Sequence, residues 1–128
     1  MQINPKQIIE EGIVEMSEYS QIQQVGIDLS VSEGVVIAPK ECLNVLLNEK
    51  IKLPSDMYAL FYQRSSYSRK GVFATTGVYD PGYEGSLGCT IYNLGNESIK
   101  IPQNERVGQL LVFKADAAST YNGQWQNK

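Results

Sequence analysis

Asp80 stands in the stretch Thr75-Thr76-Gly77-Val78-Tyr79-Asp80-Pro81-Gly82-Tyr83-Glu84-Gly85, a carboxylate flanked by two aromatic rings and three glycines. Glycine-rich backbone of this kind can form a hairpin whose main-chain groups read the edge of a flat base while Tyr83 packs on a sugar. Taken alone, a plain Asp-Pro-Gly turn accounts for it as well. Upstream, Gln63-Arg64-Ser65-Ser66-Tyr67-Ser68-Arg69-Lys70-Gly71 puts three serine hydroxyls and two guanidinium groups in a short turn after a strand. Hydroxyls and turn amides donate to non-bridging phosphate oxygens, and arginine adds bidentate bonds worth roughly 1.5–3 kcal/mol each, so the segment can hold a polyphosphate. In isolation a solvated loop with ordinary surface charge explains it slightly better. Two weaker segments complete the set. Asn104-Glu105-Arg106-Val107-Gly108-Gln109 offers an arginine and an amide at the mouth of a strand, and Gly26-Ile27-Asp28-Leu29 carries one aspartate in a β-rich stretch.

What the chain lacks narrows the chemistry further. It has no histidine, and its two cysteines, Cys42 and Cys89, have no CxxC spacing. A histidine-based triad, a Cys/His hydrolase and a zinc site of ordinary composition are therefore excluded, leaving carboxylates, hydroxyls, amides and arginines. The cysteines read as small buried hydrophobes. A formal charge of −3 argues against general nucleic-acid binding, which needs a broad basic surface. No stretch approaches the ~20 apolar residues of a membrane span, and the N-terminus lacks the basic and apolar regions of a signal peptide, so the expected location is cytoplasmic.

The elements that must position these residues follow a β rhythm. Asn4, Pro5 and Gln7 read as an N-cap, a first helical position and a capping-box partner, with Gly12 placed to end one short N-terminal helix. Beyond it, short runs of Val, Ile, Leu, Tyr and Phe alternate with Gly, Pro, Asn and Asp. Candidate strands cover residues 26–31, 34–38, 43–48, 57–63, 72–75, 85–93, 98–101 and 108–114. In 128 residues, enough for one domain burying roughly two thirds of its unfolded surface, this is an all-β barrel or jelly-roll-like sandwich. Residues 115–128 show no period and read as a C-terminal tail reaching over a surface or a neighbouring subunit.

Taken in order, GIDL, QRSSYSRKG, TGVYDPGYEG and ERVGQLL resemble the first four motifs of the dUTPase and dCTP deaminase superfamily. The likeness runs from about residue 5 to residue 126. The third motif is the most specific, since Gly77, Asp80, Tyr83 and Gly85 match the dUTPase pattern G-V-x-D-x-x-Y-x-G at every fixed position. The resemblance implies a distorted jelly-roll-like barrel forming a single domain, a homotrimer with sites between subunits, and cleavage of dUTP to dUMP and pyrophosphate. It implies that Asp80 activates the water that attacks the α-phosphorus. It also implies that backbone near Gly77 pairs with uracil and that Tyr83 lies under the deoxyribose. Arg64, Ser65, Ser66, Arg69 and Gln109 would bind phosphates, with Asp28 in the surrounding network. Mg2+ would be held chiefly by phosphates and water, with no protein metal ligand.

Some features instead lean towards the deaminase branch: the N-terminal helix, Pro81-Gly82, Arg69, the stretch from Tyr92 to Gly95, and the tail sequence YNGQWQ. Deaminases, however, need a proton-shuttling glutamate, and counting from Gly85 its place is taken by Thr90, which is no general base near neutral pH. A dUTPase also closes a Gly-rich, arginine-bearing fifth motif over the triphosphate, and the tail shows none. The expectation is thus a dUTPase on a deaminase-like frame. A dCTP deaminase and a non-catalytic nucleotide-binding regulator are the alternatives.

Overall fold

The computed structural model describes residues 1–128. Helix α1 spans Pro5–Glu10 and starts as its residues dictate. The Asn4 side chain accepts from the Lys6 amide at 2.9 Å, and proline occupies the first turn, where its missing N–H costs nothing. Gly12 ends it at φ +69°, a left-handed conformation that glycine adopts without strain. The helix is anchored by Ile8, which is fully buried.

Ten strands follow in chain order: β1 (Val14–Glu15), β2 (Gln21–Ile22), β3 (Ile27–Ser30), β4 (Val35–Ile37), β5 (Cys42–Lys52), β6 (Met57–Gln63), β7 (Val72–Thr75), β8 (Glu84–Asn93), β9 (Ile99–Ile101) and β10 (Arg106–Lys114). Two four-stranded antiparallel sheets, ordered β1-β5-β8-β7 and β2-β3-β10-β6, are accompanied by a separate two-stranded β4-β9 ribbon. The fold is the all-β, jelly-roll-like architecture expected from the sequence. Alternation does the packing: in β6, Met57, Ala59 and Phe61 point inward, and in β8, Leu87, Cys89 and Ile91 do. These residues belong to one continuous apolar core between the sheets. No helix is long and apolar enough to cross a membrane.

The structure adds elements that the sequence pattern did not announce. Strands β1 and β2 are two residues long and carry no alternation to detect. The segment read as a turn after β6 contains a helix, α2 (Ser65–Arg69), held to the core by Tyr67 alone. With a single buried residue and three serines, it had no helical apolar period to reveal it.

A buried carboxylate ties the loop between β1 and β2 to the body. Glu49 has no exposed surface and accepts bonds from the hydroxyls of Ser17 (2.7 Å), Ser20 (2.6 Å) and Ser30 (2.8 Å) and from the Ser30 amide (2.9 Å). Such burial is tolerable only because every charge-bearing oxygen is solvated by protein donors. Asn48 extends the network to the Val31 carbonyl and the Asn104 side chain. Removing the acceptor would strand these donors. Glu49→Leu is expected to lower unfolding stability by about 3 kcal/mol in urea titrations, and an unchanged midpoint would contradict this account.

Candidate functional site

The Asp80 segment is the loop between β7 and β8, and the backbone pins it at several points. Tyr79 exchanges two 3.0 Å hydrogen bonds with Ala59 of β6, carrying the loop across to the other sheet. Asp80 to Tyr83 then form a turn closed by the Tyr83 amide on the Asp80 carbonyl at 3.0 Å. Pro81 pre-sets its first corner, and Gly82, at φ +83°, supplies the left-handed second corner of a type II turn. The Gly82 amide donates to the Pro54 carbonyl at 3.1 Å.

The tail lies on this same turn. The Tyr121 amide donates to the Pro81 carbonyl at 2.7 Å, and the Gln126 side chain bridges the Gly82 carbonyl (3.0 Å) and the Glu84 amide (2.9 Å). Thr120 passes so close that a Cβ at Gly82 would stand 2.9 Å from it. Asp80 itself is exposed at the entrance of this clamped turn, and it takes part in no ion pair.

Tyr83 is buried against two other tyrosines, its ring 6.0 Å from Tyr79 and edge-on to Tyr121 at 5.2 Å. The Tyr83 and Tyr79 hydroxyls donate to the carbonyls of Ser86 and Gly88, both at 2.7 Å. Burial raises both phenols, Tyr79 to about 12, so they remain neutral donors near pH 7. Beside them opens a cleft of about 570 Å3, bounded by Gly77, Tyr83, Thr90 and Trp125.

The second, fourth and first motifs meet elsewhere. Arg64 follows β6, its amide on the Val107 carbonyl (3.0 Å) and its guanidinium on the Arg106 carbonyl (3.1 Å). Arg106 pairs with Asp28 at 2.9 Å, and Gln23 donates to the same carboxylate at 2.7 Å. Gln109 sits between Asp28 on β3 and Tyr62 on β6. Its side-chain oxygen is buried without a partner. Gly26 has no side chain because Gln109 and the Leu110 carbonyl occupy the place of a Cβ, at 2.6 and 2.7 Å. Arg64 and Ser66 line a cleft of about 380 Å3 together with Lys70, Lys100 and Glu105. The balance of charge there is cationic. Ser65 and Arg69 are exposed on α2.

One chain therefore carries two separate groups. The clefts beside Asp80 and Tyr83 hold none of Arg64, Ser65, Ser66, Asp28 and Gln109. Arg64 lies five residues beyond Ala59, the anchor of Tyr79, which is roughly 16 Å along the strand direction. Sequence reasoning missed Arg106 as the partner of Asp28, the grip of the tail on the Asp80 turn, and Asn44 on the wall of the larger cleft. The Arg–Asp pair joins residues far apart in sequence, and no local signal marks it. No three acidic, cysteine or histidine side chains come together as a metal cage, and Asp28 is already engaged by Arg106.

A family description, dCTP deaminase-like, matches residues 8–115. The dCTP deaminase of Thermococcus kodakarensis is 35% identical over 102 residues, 78% of this chain and 66% of that protein. A dUMP-forming dCTP deaminase from Persephonella marina is 33% identical over 113 residues, 86% of this chain and 61% of that protein. The chain thus spans slightly less than two thirds of the length of these curated relatives. Among solved structures, the dUTPase of Staphylococcus bacteriophage 80alpha with dUPNHPP superposes with a TM-score of 0.72 at 21% identity, covering 87% of this chain and 86% of that one.

The two thiols should differ in reactivity. Cys89 points into the core from β8, and burial pushes its thiol up to about 12, whereas Cys42 is exposed. A disulfide-exchange reagent at pH 8 is expected to titrate one thiol in the native protein and two after denaturation. Two fast-reacting thiols in the native state would contradict the packing of β8.

Proposed function

The chain belongs to the dCTP deaminase-like family, within the dUTPase and dCTP deaminase superfamily, and we propose that its reaction is hydrolysis of dUTP to dUMP and pyrophosphate. The observation that carries this reading is the Asp80 turn. It is an exposed carboxylate on backbone held by Tyr79, Pro54, Tyr121 and Gln126, at the edge of a small pocket of about 160 Å3 that it shares with Tyr83, Tyr121 and Trp125. In the proposed reaction Asp80 orients a water and takes its proton as the oxygen attacks the α-phosphorus. The bond from that phosphorus to the bridging oxygen breaks, and pyrophosphate leaves with the electron pair.

The base enters the cleft beside Gly77, and the sugar rests on Tyr83. The phosphates are bound by Arg64, Ser65, Ser66 and Gln109, with Arg69 at the end of α2. Asp28 holds Arg106 in place, which keeps that carboxylate's charge cancelled next to the anion. Mg2+ arrives with the triphosphate and offsets part of its charge. Thr90, where a deaminase would have its glutamate, supports hydrolysis over deamination.

Because the base-side and phosphate-side groups are separate on one chain, the complete site is proposed to form between subunits of a homotrimer, each giving one half. Family membership and the dUMP-forming relative support this class of substrate. The compartment proposed is the cytoplasm.

Asp80→Asn is expected to lower pyrophosphate release from dUTP by 10²–10⁴-fold while leaving binding of a non-hydrolysable dUTP analogue nearly unchanged. Full activity in that variant would refute the role of Asp80. Mixing it with Arg64→Ala after joint refolding should restore part of the activity, because some sites then contain both intact halves. No ammonia should come from dCTP, and its release would favour the deaminase reading.

A further inference from the structure

The cleft beside Tyr83 holds a polar pair that none of the four motifs includes. Thr90 on β8 lies opposite Asn44 on β5 and opposite Thr75 on β7, so three polar residues cross the sheet in one row. The Thr90 hydroxyl donates to the Asn44 side-chain oxygen at 2.7 Å, the usual length of an O–H···O bond. That bond engages the oxygen of the amide, and the N–H2 group of Asn44, a residue that lines the cleft, has no protein partner.

The same face of β8 is shaped for a flat ring. Leu87, Cys89 and Ile91 are buried, Ser86, Gly88 and Thr90 between them are half-buried, and the stretch from Ser86 to Thr90 lines the cleft. Gly88 contributes no side chain. The strip from Ser86, whose carbonyl holds the Tyr83 hydroxyl, to Thr90 is roughly 14 Å long. A nucleoside with its sugar on Tyr83 extends its base along this strip towards Thr90 and Asn44.

We propose that Asn44, oriented by Thr90, is a specificity-determining residue that reads the 4-position of the pyrimidine. Its N–H donates to the 4-oxo group of uracil. Cytosine presents a 4-amino group there, and two donors facing each other leave both without partners. The pair therefore works by rejection as well as attraction, which a pocket of shape alone cannot do for rings of equal size. This rests on reading the cleft as the base site. Thr90 is a positioning residue in this scheme, since it acts through the amide it holds.

The test is calorimetric binding of α,β-imido-dUTP and α,β-imido-dCTP to the wild-type protein and to two variants, Asn44→Asp and Thr90→Val. Wild type should favour the uracil analogue by about tenfold or more. In Asn44→Asp one carboxylate oxygen still accepts from Thr90 and the other presents an acceptor, so the preference should fall about tenfold or reverse. Thr90→Val keeps the volume but frees the amide to turn, moving the preference towards unity. Asn44 is exposed, so its variant should keep the fold. If wild type prefers uracil and both variants retain its ratio, this inference fails and the hydrolase reading stands. If wild type binds neither analogue, both fail.

Discussion

The backbone exchange between Tyr79 and Ala59 is the contact on which the rest of the site depends. Without it the residues between β7 and β8 would form a long free loop, and a loop that size pays conformational entropy each time it is ordered. With it, the loop spans from one sheet to the other and its far end falls into a turn that Pro54, Tyr121 and Gln126 hold from three directions. The carboxylate of Asp80 then needs no partner of its own to stay in place. That combination, a rigid backbone with an unengaged side chain, is what positions a group for work on something outside the protein.

The group around Arg64, Arg106 and Asp28 is built on the opposite logic. There the side chains are themselves engaged: Gln23 and Arg106 on the Asp28 carboxylate, Arg64 on the main-chain carbonyl of Arg106. An arginine paired with a carboxylate is ordered before any ligand arrives, so less side-chain entropy is lost on binding. Close backbone approach supports the arrangement. Gly108 lies where a Cβ would press within 2.4 Å of the Tyr62 carbonyl, which lets β10 pass tightly between β3 and β6 with Gln109 next in line.

Much of this was legible in the sequence because it is local. Asn4, Pro5 and Gly12 write the first helix into a few consecutive residues, and the alternation in Met57–Gln63 and Glu84–Asn93 writes the long strands. The order of four short motifs identified the superfamily. What stayed hidden is non-local or too short for a period. The helix at Ser65–Arg69 has one buried residue, the Glu49 cradle gathers serines from two separate segments, and Arg106 meets Asp28 across 78 positions of chain. Asn44 gave no sign because a polar residue on an exposed strand face is ordinary. The sequence reading has the tail reach over a surface or a neighbouring subunit, and the turn it meets within this chain, at Asp80, depends on the positive φ of Gly82.

Trp125 gives the molecule an optical property as well. It is the only tryptophan in the chain, 61% exposed, and it stands on the rim of the cleft near the Tyr79, Tyr83 and Tyr121 cluster. Its emission colour reflects how much water surrounds the indole, and the neighbouring phenols can pass excitation energy to it. Whatever fills the cleft displaces water from that indole, so intrinsic fluorescence follows occupancy with no label attached.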